Sequence, residues 1–315
     1  MPTHDALVIT GPTATGKTGL SIRVAERVGG EIVSMDSRQV YRGMDIGTAK
    51  VTAGEAGGIV HHGIDLVEPE ERYSAGAFAR DARRWLREIR GAGHVPVLVG
   101  GTGFFLRALT HPLFHEPELE RERRERLKQW LRGEPEERLR AWLRVLDAPT
   151  AAALEAGGGR QRVARALEVA LLTGRPLSWW HAHAPAEQSP LSLRVFVLDL
   201  PREDLYHRIN ERVLAMMRAG LEGEVRALMA RGLDESAPGL NATGYIELLR
   251  YVRGETSLED AVDAIQRATR RYARRQLTWL RNQLPPDAVW LDARRPVDEL
   301  ADEIARSWRE DEEGS

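Results

Sequence analysis

The chain has 315 residues, of which 42% are hydrophobic and 29% charged, with a formal net charge of −2, nine histidines and no cysteine. That length predicts about two domains, and the missing cysteine excludes a disulfide framework, a thiolate nucleophile, sulfur-ligated zinc and iron–sulfur chemistry. No apolar run approaches the roughly 18 residues of a spanning helix, and the apolar start at 6–9 is far shorter than a signal-peptide core, so a cytoplasmic, enzyme-sized protein without a membrane partner is expected.

Charge is unevenly written along the chain. Of the 45 basic residues only Lys17, Lys50 and Lys128 are lysine, so a lysine here wants a reason. Residues 267–281 carry Arg267, Arg270, Arg271, Arg274, Arg275 and Arg281 without one acid, whereas residues 310–315 form an acidic tail ending in Gly-Ser.

In chain order, short apolar runs at 6–10, 31–35 and 95–99 alternate with helical patterns at 17–28 and 74–92. Such runs, bounded by Gly or Pro, predict buried parallel strands joined by crossover helices, an α/β fold with a doubly wound sheet. From about 116 to 175 the strand signal gives way to charged helical patterns at 121–131, 135–146 and 161–172. A strand-like run at 194–200 restores the first pattern, Thr256 with Glu259 predicts a capping box opening a helix to about 283, and 289–291 fits a last strand. The expected organisation is a discontinuous core, 1–115 with 194–315, interrupted by a helical insertion at 116–193.

Residues 11–18 read Gly11-Pro12-Thr13-Ala14-Thr15-Gly16-Lys17-Thr18, the phosphate-binding loop pattern, placed after a predicted strand and opening a predicted helix as that motif requires. Its backbone N–H groups and helix N-terminus suit phosphate oxygens, Lys17 supplies a point charge, and Thr18 a hydroxyl able to ligate Mg²⁺. Anion binding alone does not choose a reaction. The strand at 31–35 leads to Asp36, and an acid at the carboxyl end of a strand adjacent to the first would point into the ligand crevice of an open α/β sheet.

The run from Asp36 to Lys50, DSRQVYRGMDIGTAK, resembles the signature of the tRNA dimethylallyltransferases. Similar in order are His61-His62-Gly63-Ile64-Asp65, Tyr73-Ser74-Ala75, Gly100-Gly101-Thr102-Gly103, QRVARALE at 161–168, Gly244-Tyr245 and RRQLTWLR at 274–281. The matches span about 7–291, with departures at Val51, Gly63, Gly159-Arg160 and Ile246. The resemblance implies a P-loop fold that moves a dimethylallyl group from its diphosphate to N6 of the adenosine 3′ of the anticodon in tRNA, releasing pyrophosphate.

In that reaction the loop would hold a leaving group, with Lys17 and a Thr18-bound Mg²⁺ neutralising it. Asp36 is the candidate base for the N6 proton, with Thr102 beside it. Arg208 and Arg212 resemble family residues near the diphosphate, and their spacing puts both on one helix face. The resemblance assigns Asp36, Ser37, Arg38, Gln39 and Thr102 to a pocket for the extruded base. It brings Arg124 and the stretch Arg160, Gln161, Arg162, Val163, Ala164 to the anticodon stem-loop from the insertion, and Gly244 and Tyr245 to the tRNA from the core. Arg271, Arg274 and Arg275 join a basic stripe suited to tracking phosphates. The chain is expected to act as a monomer.

His181 and His183, beside Trp179 and Trp180, are read as packing residues, and His61-His62 as a loop near the site. Two other classes use the same loop: a nucleoside or small-molecule kinase acting on ATP, and a nucleic-acid-binding module with a vestigial nucleotide site.

Overall fold

The computed structural model describes residues 3–111, 120–155, 157, 159–183 and 189–314. In chain order it contains β1 (Ala6–Thr10), α1 (Lys17–Val28), β2 (Gly30–Ser34), α2 (Ala53–Ala56), β3 (His61–His62), α3 (Ala75–Gly91), β4 (Val95–Val99) and α4 (Gly103–Thr110). Five helices follow, α5 (Arg121–Gly133), α6 (Glu136–Leu146), α7 (Ala148–Glu155), α8 (Arg160–Thr173) and α9 (Leu177–His183). The chain then runs through β5 (Leu193–Asp199), α10 (Arg202–Arg218), α11 (Leu221–Ala230), α12 (Tyr245–Val252), α13 (Leu258–Gln283), β6 (Val289–Asp292) and α14 (Val297–Glu313).

The strands form one parallel sheet in the order β3-β2-β4-β1-β5-β6. β1 lies inside, buried along its whole length, which accounts for its continuous apolar run. This order corrects one expectation: β4 stands between β1 and β2, so the strand leading to Asp36 is not a neighbour of the phosphate-loop strand. The sheet core includes Leu7, Ile9, Ile32, Val97 and Phe196, closed by Leu20 and Val24 of α1 and by Leu300, Ile304 and Trp308 of α14. The acidic tail expected after the fold is, through Glu313, the end of α14. No helix among the described residues is long and apolar enough to cross a membrane.

Two compact units emerge, Met1–His111 with Pro190–Ser315, and Pro112–Ser189. The insertion start expected at 116 lies outside the described residues. In the second unit, α5, α6 and α8 bury Leu131, Leu139, Leu143, Val163 and Leu167 together. Glu168 is buried there and accepts hydrogen bonds from Arg124 and Arg165, each at 2.6 Å. Asp147 accepts from the backbone of Thr150 at 3.1 Å and of Ser178 at 3.0 Å. His183 stacks on Trp179 at 4.9 Å and hydrogen-bonds its carbonyl, a packing arrangement.

In the first unit, the run after β2 is folded into a second core: Val40, Tyr41 and Met44 are buried with Leu221, Tyr245 and Leu248. Polar staples fix its outline. Lys50 Nζ donates to Tyr41 O, Asp45 Oδ1 and Asp65 Oδ1 at 2.5, 2.7 and 2.5 Å, which gives this lysine its reason. Glu224 accepts from the backbone N–H groups of Asp45, Ile46 and Gly47 at 2.7, 2.7 and 3.1 Å and from the Tyr245 hydroxyl at 2.6 Å. A Cβ at Gly47 would stand 2.6 Å from the Tyr245 ring, so only glycine fits there.

Two local readings move. His61-His62 is a short strand paired to β2, and His62 Nε2 lies 2.7 Å from Glu31 Oε2. The cap of α13 is Ser257, whose hydroxyl accepts from Asp260 N at 3.1 Å, one residue beyond the expected Thr256–Glu259 pair.

Truncating Glu224 leaves four donors without their acceptor. We expect Glu224→Ala to lower stability by about 2 kcal/mol or more, and Glu224→Gln to recover part of that loss. Urea unfolding of the three proteins checks both values.

Candidate functional site

The sheet delivers its chemistry at the carboxyl ends of its strands. β1 ends at Thr10 and the chain turns through Gly11 at φ 146°, Ala14 at φ 68° and Gly16 at φ 93° before α1 begins. A Cβ at Gly11 would lie 2.5 Å from the Leu198 carbonyl of β5, so the turn needs glycine for clearance. α1 carries no acidic residue in its first turn and its N-cap makes no side-chain bond, which leaves its N–H groups and positive dipole end for an anion. Lys17 Nζ donates to the carbonyls of Gly11 at 2.9 Å and Pro12 at 2.7 Å. Burial, helped by the nearby Arg212 charge and opposed by Asp36, pushes the Lys17 ammonium down to about 7.

Facing this loop is a second one. Thr102 Oγ1 accepts from Ser37 N at 3.1 Å, so the loop after β4 is fastened to the one after β2. Asp36 Oδ1 accepts from Arg38 N at 2.8 Å, and its Oδ2 has no hydrogen-bond partner among the described residues. Gln39 Oε1 accepts from the Ser34 hydroxyl at 2.8 Å while its Nε2 donates to the carbonyls of Thr48 and Ala49. Gly100 lies against Met35 O, Gly101 against the Gln276 amide and Gly103 against the Trp279 ring, each too closely for a Cβ. Clearance, rather than backbone angle, explains this glycine-rich sequence.

Helix α13 closes the site. Gln276 is buried; its Oε1 accepts from Thr13 N and its Nε2 donates to Gly101 O, both at 2.9 Å. One turn earlier Tyr272 faces Asp36 and Thr102, and burial, with the Asp36 charge, pushes its hydroxyl up to about 12. From α10, Arg208 donates to Ala293 O at 3.3 Å, and burial lowers the Arg212 guanidinium while the Asp36 charge opposes that fall. Lys17, Thr18, Asp36, Gln39, Arg208, Arg212, Tyr272 and Gln276 line one cavity of about 370 Å³.

The expected site residues therefore fall into three groups. Thr13, Ala14, Gly16, Lys17 and Thr18 of the phosphate loop come together with Asp36, Gln39, Arg208 and Arg212 at the cavity, while Thr15 is buried with its hydroxyl on Pro12 O; Ser37 is bonded to Thr102 and Arg38 is held by Pro238 O. Other expected residues pack or bond within the protein. Gly244 and Tyr245 are buried, Tyr245 within the second core. Val163 is fully buried, and Arg160 donates to the carbonyls of Leu131 and Arg132 at the end of α5. Arg124 is bonded to Glu168. Gln161 and Arg162 are exposed, and Ala164 is half-buried beside them.

The basic stripe is also divided. Arg267 pairs with Asp263 at 3.4 Å, and Arg270 donates to Asn210 Oδ1 at 2.6 Å. Arg271, Arg274 and Arg275 remain exposed. Tyr272 and Gln276 were not anticipated at the cavity; their i, i+4 spacing on an arginine-rich helix is the signal that could have found them. His61, Ser21 and Thr48 complete the lining.

Among the described residues no three His, Asp or Glu side chains are grouped to hold a metal. Thr18 and Asp36 line the same cavity, which suits a hard divalent cation that takes its remaining oxygens from phosphate and water.

The family model described as IPP transferase matches residues 39–283, and that described as isopentenyl transferase matches 4–62. A tRNA dimethylallyltransferase of Syntrophobacter fumaroxidans is 43% identical over 91% of this chain and 83% of that protein. The crystal structure of the full-length tRNA isopentenylpyrophosphate transferase of Bacillus halodurans is similar with a TM-score of 0.72 and 38% identity, over 98% of this chain and 97% of its own. A eukaryotic dimethylallyltransferase captured acting on tRNA gives 0.78 and 27% identity, over 91% of this chain and 73% of its own.

The depressed Lys17 ammonium sets a pH dependence. Its charged form binds anions, so affinity for pyrophosphate should weaken as pH rises above about 7, by up to about tenfold per unit. Lys17→Arg, charged throughout, should lose that component. Calorimetric titrations of the two proteins across neutral pH compare the slopes; identical slopes would remove Lys17 from anion binding.

Proposed function

The chain belongs to the IPP transferase family and transfers a dimethylallyl group from dimethylallyl diphosphate to tRNA; from that premise we propose how the cavity divides the work. The diphosphate lies on the Gly11–Thr18 loop, and N6 of the adenosine 3′ of the anticodon meets the allylic carbon in front of Asp36. The observation that carries this reading is the convergence of an anion-binding loop and an acid not bound to it on one cavity.

As the N6–carbon bond forms, the carbon–oxygen bond breaks and its electron pair leaves with pyrophosphate. Lys17, Arg208, Arg212 and the N-terminus of α1 meet that growing negative charge from fixed positions. The N6 proton, made acidic by bond formation, passes to Asp36, whose Oδ1 is oriented by Arg38 N. Thr102, holding Ser37 N, positions that loop. Thr18 is the residue that would hold Mg²⁺, and the ion when bound supplies further neutralisation of the diphosphate.

Extrusion of the adenosine brings its amine into the cavity, where Gln39 and the backbone of 36–39 can read its edge. Exposed Arg271, Arg274 and Arg275, together with Gln161 and Arg162 of the 112–189 unit, serve the tRNA backbone. We place the chain with its tRNA in the cytoplasm.

Asp36→Ala should slow transfer by about 10²–10⁴-fold and leave pyrophosphate affinity nearly unchanged. The check is single-turnover mass gain of unmodified tRNA, with ADP release from ATP as the sign of a kinase. Unchanged turnover would remove Asp36 from the mechanism. Neutralising Arg271, Arg274 and Arg275 together should flatten the salt dependence of tRNA affinity by about two to three units of slope. An unchanged slope would place the phosphate contacts elsewhere.

A further inference from the structure

Phe104 is the most exposed aromatic side chain among the described residues, at 62%. The core does not need it: α4 buries Phe105, Leu106, Ala108 and Leu109, and Phe105 stacks on Phe78 at 4.2 Å. Its place in the chain is close to the chemistry. It follows Gly103 directly and stands two residues after Thr102, which is bonded to the residue next to Asp36.

A helical side chain leans toward the N-terminus of its helix, and Phe104 is the second residue of α4, next to the Gly101–Gly103 turn. The same side of α4 meets the basic helix. Gly103 abuts the Trp279 ring, and Arg107 donates to Gln283 Oε1 at 3.0 Å. Positions 103, 104 and 107 occupy neighbouring sectors of the helix, and α13, which meets 103 and 107, carries exposed Arg274 and Arg275. An open aromatic face on a helix that packs against an arginine-rich one matches a ligand that is anionic along its backbone and flat in its bases, namely an unpaired stretch of RNA.

We propose that Phe104 is a wedge that enters the anticodon-loop stack and occupies the space left by the extruded adenosine. The inference rests on the reading that the cavity modifies an extruded adenosine, and it assigns a residue to hold the extruded state. Removing a base from a stack leaves its neighbours without a partner, and an inserted apolar ring restores that contact. Phe104 is a positioning residue: it touches neither the diphosphate nor N6.

The test uses tRNA with 2-aminopurine at the target position, which lacks N6 and brightens on leaving the stack. The wild-type chain should produce a fluorescence rise that Phe104→Ala largely abolishes, with kcat/KM on ordinary tRNA reduced roughly tenfold to hundredfold. Pyrophosphate affinity and thermal stability should not change, and Phe104→Trp should retain both the rise and the rate. A full fluorescence rise in Phe104→Ala overturns the wedge, as does a loss of pyrophosphate affinity equal to the loss of rate. If the wild-type chain itself adds no mass to tRNA, the functional reading fails instead, and the two failures are distinguishable.

Discussion

A single side-chain amide joins the two halves of the site. Gln276 accepts from Thr13 N with one atom and donates to Gly101 O with the other, both at 2.9 Å, in a buried setting. The phosphate loop after β1 and the glycine-rich loop after β4 are thereby fixed to one helix and to each other. Both atoms are used in directional bonds away from water, so neither loop can shift without leaving a buried polar group unpaired. The positions of Lys17 relative to Asp36, and of Thr102 relative to Ser37, follow from that bridge.

Helix α13 carries the bridge because it has two faces. Tyr272, Ala273, Gln276 and Leu280 turn toward the protein, whereas Arg271, Arg274, Arg275 and Thr278 turn outward. The inward face sets the cavity geometry and the outward face offers charge. A substitution on one face can change chemistry without changing attraction for a polyanion, or the reverse, because the two are separated by the helix itself.

Much of this was legible in the residues. Continuous apolar runs marked β1, β4 and β5, and the phosphate loop with its following helix was readable from eight positions. The order of strands was not, because pairing between β2 and β4 joins residues some sixty positions apart and leaves no local trace. His61-His62 escaped as a strand because two polar residues carry no period, and their conformation is set by β2. The burial of Tyr245 leaves no local trace either, because it depends on Gly47 and Glu224, nearly two hundred and about twenty residues away. The long run from Asp36 to Lys50 carries few reacting groups; most of its residues build the loop that presents Asp36.

The position of β1 between β4 and β5 has a consequence for synthesis on the ribosome. The phosphate loop is translated before these partners: its strand lacks its second neighbour until Leu193–Asp199 has emerged, and its anchor until Gln276 has. A nascent chain therefore carries a glycine-rich segment that stays unfinished until a residue 263 positions after Thr13 has been made. The site is complete only once Gln276 of α13 has joined the two loops.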